Sequence, residues 1–276
     1  MTAAAVPFAL GDGPDACLLL HGLTGAPSEL RPLGEALASA GFRAVAPLLP
    51  GHGTTPAALA RVTRADLLAA AAAELAALRD ARRVFVAGLS AGGLLALRLA
   101  AAPSRAGVPP VAALALLAPA IRFARGTWVF SEVLGRIPAP LIVRSVVIGK
   151  GRRDLASPAP GESAAAQTGS SASPPSPVVR ADGSYSAIPL SWAHELHELS
   201  GEGLRCAPDV RAPTLLLHGG CDRTAALSGT RLLAGRLGSN ELRLRVFPQS
   251  GHVLPLDRDS AAVCSAVVSF FREAST

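Results

Sequence analysis

The sequence predicts an α/β protein with a doubly wound, mostly parallel sheet and a small helical cap inserted after a central strand. Short, continuously apolar runs alternate with longer helical patterns along most of the 276 residues. Strands that read as unbroken apolar runs are typical of a parallel sheet covered by crossover helices on both faces. The alternation stops once, between Pro119 and Ala212. We therefore assign residues 1–121 and 212–276 to the core and residues 122–211 to the cap.

The core elements follow one another in order along the chain. Each predicted strand is a short apolar run, and each predicted helix has apolar residues at helical spacing. The strands are Cys17–Leu20, Phe42–Ala46, Val84–Ala87, Val111–Leu117, Thr214–Leu217 and Leu242–Phe247. The helices are expected near Ser28–Ser39, over Arg64–Arg79 with Thr63 as N-cap, directly after Ser90, near Leu227–Leu237 and over Ser260–Arg272.

The insertion differs in composition along its length. Ser157–Pro177 is rich in Ser, Ala, Pro and Gly, which predicts a mobile loop. Its flanks, Trp128–Ile148 and Pro189–Leu199, read as amphipathic helices. An insertion beside a reactive residue is where a lid over a binding site lies. The alternative is a packed helical ornament that takes no part in binding.

Charge and hydropathy argue against two classes of partner. The formal net charge is +6, but Lys150 is the only lysine among 26 basic residues, and the arginines are scattered without interleaved aromatic residues. A nucleic-acid-binding stripe is therefore not indicated. No signal peptide is evident, and the most apolar long segment, Thr127–Gly149, contains Glu132 and Arg144, which a bilayer span tolerates poorly. We expect a cytoplasmic protein without stable membrane insertion.

Cysteine and histidine spacing gives no metal site. The four cysteines are far apart, form no C-x-x-C and are expected to be reduced and buried: Cys17, Cys206, Cys221 and Cys264. His194 and His197 are separated by three positions, whereas the zinc motif H-E-x-x-H needs four. The sequence predicts neither a metal nor a cofactor.

The most informative segment is Gly88-Leu89-Ser90-Ala91-Gly92, a small-residue corner between a predicted strand and a predicted helix. On such a corner the serine hydroxyl points out of the sheet edge, and a side chain at either glycine would collide with the adjacent strand or helix. Because Ser90 opens a helix, the backbone N–H groups behind it point at any oxyanion that forms nearby. G-x-S-x-G also arises by chance in a chain of this composition, so Ser90 needs partners.

Two later residues are suited to be those partners. A serine hydroxyl is a poor nucleophile unless a base takes its proton and a third group orients the base. Asp222 follows the predicted strand Thr214–Leu217, and His252 follows Leu242–Phe247. Either residue alone reads equally well as an ordinary loop residue. The carboxyl ends of parallel strands meet at one edge of the sheet, and the order Ser, Asp, His is expected when the nucleophile sits on such a corner. The combination predicts a catalytic triad.

Two other aspartates compete for the place of the acid. Asp209 precedes its strand and so belongs to the opposite end of the sheet. Asp257 follows His252 and is expected to cap the final helix.

An oxyanion in this crevice needs two hydrogen-bond donors. The N–H of Ala91, directly after the nucleophile, is the first, and the N–H of Leu23, in the loop after Cys17–Leu20, is the best-placed second. We expect His21 and His52 to tie this loop together by hydrogen bonds, and His218 to close a turn.

Five segments together resemble the α/β-hydrolase superfamily, and within it the bacterial carboxylesterase and monoacylglycerol-lipase group: LLLHGLTGAPSEL, PLLPGHG, VFVAGLSAGG, LLLHGGCDRTA and SGHVLPLD. They cover nearly the whole chain outside residues 122–211. The resemblance implies an α/β-hydrolase fold, with Ser90, Asp222 and His252 as the triad and the amides of Leu23 and Ala91 as the oxyanion hole. It also implies that Tyr185–Leu199 belongs to a small cap over an acyl pocket.

This sequence departs from the group at three positions. Leu23 stands where phenylalanine is frequent, Ala91 where methionine or leucine is frequent, and Ala225 where valine is usual. These departures affect the expected substrate preference and leave the expected chemistry intact.

We therefore expect a serine hydrolase that cleaves carboxylic esters, either short- to medium-chain acyl esters or monoacylglycerols, through an acyl-enzyme. Its expected partner is a small-molecule acyl ester, and its oligomeric state is left open. One alternative is an acyltransferase or thioesterase that uses the same triad. Another is a hydrolase-fold binding protein that has kept the triad but not the turnover.

Overall fold

A mostly parallel sheet of seven strands forms the centre of the molecule. The computed structural model describes residues 5–102, 107–124, 136, 147–149, 155, 179–181 and 183–275. The strands of this sheet are β1 (Phe8–Leu10), β2 (Asp15–Leu20), β3 (Arg43–Ala46), β4 (Arg83–Leu89), β5 (Val111–Leu117), β8 (Thr214–Gly219) and β9 (Leu242–Phe247). The order across the sheet is β1-β3-β2-β4-β5-β8-β9, with β1 antiparallel to β3 and every other neighbouring pair parallel.

Helices connect these strands and cover both faces of the sheet. They are α1 (Arg31–Ser39), the single-turn α2 (Pro56–Leu59), α3 (Arg64–Ala77), α4 (Ala91–Ala101), α5 (Ser191–Cys206), α6 (Leu227–Ala234) and α7 (Ser260–Glu273). All six strands predicted from apolar runs are present, and Thr63 caps α3 through a capping box with Asp66. The predicted doubly wound architecture is confirmed.

Alternate residues of the central strands feed two separate apolar layers. In β2, Leu18 and Leu20 pack into the layer formed with α3, α4 and α5, whereas Leu19 packs into the layer formed with α1 and α7. In β4, Val86 and Phe85 divide in the same way. Successive strand side chains point to opposite faces, so a strand buried on both faces needs apolar residues at every position. This explains why the strands read as unbroken apolar runs.

The structure describes only part of the predicted cap, residues 122–211. The loop predicted over 157–177 lies outside the described residues, as does nearly all of the helix predicted over 128–148. The insertion was expected to contain no strand, yet β6 (Val147–Gly149) and β7 (Ala187–Pro189) pair as a short antiparallel ribbon. Three-residue strands are too short to show a period of two, which is why the sequence pattern missed them.

Helix α5 is longer than predicted and packs on the core. It continues to Cys206 although Gly201 and Gly203 break the helical pattern after Leu199. A Cβ on Gly203 would lie 3.3 Å from Leu97 of α4, so the glycine allows α5 and α4 to approach closely. Trp192 is fully buried and donates its indole N–H to Leu59 O at 2.9 Å. Packing therefore outweighs the low helix propensity of glycine here. That residues 122–211 form a cap over an acyl pocket stays a prediction.

Two other expectations from composition can be compared with the described residues. All four cysteines are free; Cys221 is exposed, so the expectation that all are buried is wrong for this one. In the described part of the chain, no helix combines the length and the apolar character that a membrane crossing requires. The cytoplasmic location and the absence of a nucleic-acid partner stay predictions.

Candidate active site

Ser90 lies on a strained corner between β4 and α4. Its backbone has φ 56° and ψ −116°, in a region that residues with a side chain rarely occupy. A Cβ on Gly88 would collide with the carbonyl of Gly92, and a Cβ on Gly92 would collide with the carbonyl of Leu20 in β2. Both glycines are therefore needed for the chain to turn this sharply beside the neighbouring strand. The predicted corner is confirmed.

Backbone strain in the described residues concentrates at one edge of the sheet. The three non-glycine residues there with positive φ are Thr24, Ser90 and Ala118. They follow β2, β4 and β5, whose carboxyl ends lie side by side because these strands are parallel neighbours. A strained backbone conformation costs free energy and persists only where the surrounding structure enforces it, and such residues cluster at functional sites.

Asp222 is placed by the turn after β8 and faces His252. Its side chain is only 1% exposed. One carboxylate oxygen, Oδ1, accepts the backbone N–H groups of Thr224 and Ala225, both at 2.8 Å, and the other, Oδ2, lies 2.8 Å from His252 Nδ1. Burial raises the pKa of Asp222. The charge and hydrogen bond of His252, the charge of His218 and the Ala225 N–H lower this pKa by more than burial raises it. The net pKa lies below the usual value, so the carboxylate is ionised.

The loop that carries His252 is held by two acidic side chains. Gly251 N donates to Asp257 Oδ2 at 2.7 Å, and Ser250 Oγ donates to Asp259 Oδ2 at 2.9 Å. The prediction that Asp257 caps the final helix is wrong, because α7 begins at Ser260 with Asp259 in the N-cap position. Asp257 instead orients the backbone directly before His252. The sequence did not reveal this, because an aspartate between a loop and a helix can either cap the helix or accept a hydrogen bond from the loop backbone.

The tautomer of His252 follows from its partner. A carboxylate can only accept hydrogen bonds, so Nδ1 carries the proton and Nε2 is left as an acceptor. The loops of the acid and the histidine are also joined directly, because Cys221 N donates to Ser250 O at 2.9 Å. Asp222 and His252 therefore form a pair in which Nε2 is the unprotonated, basic nitrogen of the ring.

The loop after β2 lies against the Ser90 corner. A Cβ on Gly22 would lie 3.4 Å from Ser90 Cβ. Leu23 is next along this loop, and Ala91 is the first residue of α4. Within the described residues, the N–H groups of Leu23 and Ala91 have no hydrogen-bond acceptor in the protein. That the two amides serve one acceptor beside Ser90 stays a prediction.

Two buried histidines hold this loop in place, as the sequence predicted. Thr24 N donates to His52 Nε2 and Leu49 N donates to His21 Nε2, both at 3.1 Å. His21 Nδ1 lies 2.9 Å from Gly22 O. Burial, with repulsion from His52, lowers the pKa of His21 to about 3, so this ring is neutral and can accept.

Tyr185 reaches the same loop from a distant part of the chain, which the sequence did not predict. Its N–H donates to Thr24 O at 2.8 Å, and its ring stacks on His52 with 6.1 Å between centroids. Its hydroxyl donates to Gly51 O at 2.7 Å and accepts from Thr54 N at 3.0 Å. No local pattern links positions so far apart. The one usable signal is that Tyr185 is the only tyrosine of the chain.

The other residues that the sequence singled out, Asp209 and His218, do not belong to the Asp–His pair. Asp209 is exposed in a short 3-10 helix before β8, at the opposite end of the sheet from Asp222, as predicted. His218 is fully buried in β8, and its Nε2 lies 3.3 Å from Ala225 O across the turn that it was expected to close. Among the described residues, no cluster of three or more His, Cys, Asp or Glu side chains is arranged to hold a metal ion.

This fold and site define an α/β-hydrolase, with a serine on a strand-to-helix corner and an Asp–His pair at the same sheet edge. Residues 14–259 match the Hydrolase_4 family, described as serine aminopeptidase, S33. The chain belongs to this family.

Lipolytic enzymes and an esterase are among the proteins to which this chain is similar. It is 41% identical over 109 residues to a thermostable monoacylglycerol lipase of Bacillus sp. (strain H-257), a match spanning 39% of this chain and 44% of that protein. It is 22% identical over 270 residues to a carboxylesterase of Bacillus subtilis (strain 168), covering 97% and 96% of the two chains. A solved structure from the metagenome-derived lipolytic enzymes LipS and LipT superposes with TM-score 0.78 at 23% identity, covering 99% of each chain.

Proposed function

We propose that this protein is a carboxylic ester hydrolase that uses Ser90 as nucleophile, His252 as base and Asp222 as the acid that orients the base. The observation that carries the proposal is the 2.8 Å contact between His252 Nδ1 and the buried Asp222, at the sheet edge that also presents Ser90 on its strained corner. Membership of the family and the lipase and esterase relatives support it.

The proposed reaction has two halves. In the first, His252 Nε2 takes the Ser90 proton as Oγ attacks the ester carbonyl, and the oxyanion is held by the N–H groups of Leu23 and Ala91. The protonated ring then gives its proton to the leaving alcohol, which leaves an acyl-enzyme. In the second half, the same ring activates water and the acid product departs. Asp222 stabilises the charge on the ring in both halves.

The substrates that we propose are short- to medium-chain acyl esters or monoacylglycerols. Ala91 and Leu23 are smaller than the side chains frequent at these positions, which leaves room for an acyl group beside the two amide donors. Two relatives support this choice by their names, one a monoacylglycerol lipase and the other a carboxylesterase. The proposed partner is therefore a small-molecule acyl ester.

The direct test is covalent labelling followed by a substrate series. A fluorophosphonate probe should label the wild-type protein and should not label Ser90→Ala. A p-nitrophenyl ester series from acetate to palmitate, with monoacylglycerol beside it, then ranks acyl length. Preference for amino-acid p-nitroanilides over all esters would overturn ester hydrolysis as the main activity. An unlabelled wild-type protein that binds acyl esters without turnover would establish the binding-protein alternative instead.

The acyltransferase or thioesterase alternative uses the same site and is separated by its products. Adding an alcohol or thiol acceptor to the assay should leave free acid as the main product if water is the natural acceptor. An acylated acceptor or preferred cleavage of thioesters would move the assignment to that alternative.

His52→Ala tests whether the hydrogen bond from Thr24 N to His52, which we call the loop brace, supports the proposed oxyanion donors. The change removes the acceptor of the Thr24 N–H, so the strained loop beside Leu23 loses a restraint. An oxyanion donor acts in the transition state, so we expect kcat to fall about 10- to 100-fold with KM little changed. Steady-state kinetics on one p-nitrophenyl ester measure this.

The matched control for this test is Ser239→Ala, which also removes a side-chain acceptor of a backbone N–H, that of Glu241 just before β9, and should leave kcat within about twofold. Tyr185→Phe should give a smaller loss than His52→Ala, since it keeps the ring against His52 and removes only the hydroxyl contacts. A rise in KM at unchanged kcat for His52→Ala would show that the brace serves substrate binding and not the oxyanion.

A further inference from the structure

His218 is a fully buried histidine that the proposed reaction does not use, yet it contacts the proposed acid. It lies near the end of β8, and its side chain is 0% exposed. Its Nε2 lies 3.6 Å from Asp222 Oδ2, the oxygen that also meets His252 Nδ1 at 2.8 Å. A histidine of β8 and a histidine from the loop after β9 therefore lie against the same carboxylate oxygen.

The surroundings of the His218 ring select one protonation state. Nε2 lies 3.3 Å from Ala225 O, which can only accept, so Nε2 carries a proton. Nδ1 lies 2.9 Å from Thr230 Oγ1, whose hydroxyl can donate to it. A neutral ring with its proton on Nε2 satisfies both neighbours. Burial and the repulsion from His252 lower the pKa of His218, whereas the charge of Asp222 raises it. The net pKa is lowered, which is consistent with the neutral form.

Few charges surround this ring. In the part of the chain that the structure describes, the titratable groups that face it are Asp222, at the end of its own strand, and His252, from the loop after β9. Thr230 contributes a neutral hydroxyl from α6. The Nε2–H group donates to Ala225 O, and its nitrogen also lies 3.6 Å from Asp222 Oδ2. This distance is longer than a hydrogen bond, so the partial positive charge of the N–H acts on the carboxylate electrostatically.

We propose that His218 is a positioning residue that acts through Asp222 and lowers the proton affinity of His252. This inference rests on the proposed function. The N–H dipole of His218 offsets part of the carboxylate charge, so less of that charge stabilises protonated His252. The base then stays unprotonated, and able to accept the Ser90 proton, to a lower pH. Without this dipole, His252 holds its proton more tightly.

The test compares His218→Leu, which removes the dipole, with His218→Gln, whose amide N–H reaches about the same place as Nε2. The readouts are the pKa of His252 by ¹⁵N-histidine NMR and the acid limb of kcat/KM against pH. We expect both values to rise by about half a pH unit or more in His218→Leu and to stay within about 0.2 of wild type in His218→Gln. Equal shifts in both variants, or none in a folded His218→Leu, would overturn the proposal.

A measurement on the wild-type protein keeps the inference testable if His218→Leu does not fold. The ¹⁵N spectrum should show neutral His218 with its proton on Nε2 and a pKa below the ordinary value of a histidine. A pKa above the ordinary value, or a proton on Nδ1 of the neutral ring, would overturn the assignment. The NMR readouts need no turnover, so they separate this inference from the proposed function, which fails if the wild-type protein neither labels with the fluorophosphonate nor hydrolyses esters.

Discussion

Ser90→Ala is expected to lower kcat/KM for a p-nitrophenyl ester by about a million-fold, because triad members act as a unit. The change removes only the hydroxyl oxygen and keeps Cβ. The strain at φ 56° is therefore the same in both proteins. The Ser90 side chain also makes no capping hydrogen bond to α4, so its loss should shift the thermal midpoint by no more than a degree or two, about the effect of a surface substitution. A large loss of rate at unchanged stability is the expected result.

The kinetic measurement needs a control that matches the chemical change. Ser239→Ala removes an exposed hydroxyl whose contacts are with Glu241, far from the sheet edge that carries Ser90, and should leave kcat/KM within about twofold. A loss of less than about 100-fold in Ser90→Ala would be too small for a nucleophile. It would remove Ser90 from that role even if esters are hydrolysed.

The parts of the site that the sequence predicted are those that depend on local pattern and strand order. The corner at Ser90 follows from two glycines that leave space for the Gly92 carbonyl and for the carbonyl of Leu20. Asp222 and His252 could be placed because both follow apolar runs of parallel strands, and the ends of such strands share one edge. Their direct contact, 2.8 Å between Nδ1 and Oδ2, is the result of that shared edge.

The parts that could not be predicted depend on contacts between distant positions or on tertiary packing. Tyr185 supports the loop at Thr24 from far along the chain, and nothing in its own segment indicates this. His218 is four positions before Asp222, and only the burial of β8 shows that the two side chains meet. Asp257 is predicted to cap α7 but accepts the Gly251 N–H instead, because a helix cap and a loop contact leave the same local pattern. In each case the chemistry of the residue was visible but its neighbour was not.

Asp222→Asn is expected to lower kcat by about ten-thousand-fold at neutral pH, the size of the effect of a wrong histidine tautomer in a triad. Two backbone N–H groups, those of Thr224 and Ala225, point at Oδ1. They hold the carbonyl oxygen of the asparagine at this position. The NH₂ group must then take the place of Oδ2 and face His252 Nδ1, to which it can only donate.

That orientation inverts the tautomer of His252. With a donor facing it, Nδ1 becomes the acceptor, so the ring proton moves to Nε2 and the ring can no longer take the Ser90 proton. The NH₂ group also faces the N–H of His218, and two donors are placed opposite each other where the carboxylate stood. We therefore expect Asp222→Asn to lose stability as well as rate, by about 1–3 kcal/mol for an unsatisfied buried polar contact.

Kinetics, urea unfolding and ¹⁵N-histidine NMR together test this prediction. The NMR spectrum should show the His252 proton on Nδ1 in the wild-type protein and on Nε2 in Asp222→Asn. Asp209→Asn is the matched control, because this aspartate is exposed at the opposite end of the sheet and should change neither rate nor tautomer. If Asp222→Asn kept more than about one per cent of the wild-type kcat, the orienting role of Asp222 would be disproved, since a ring in the wrong tautomer cannot serve as the base.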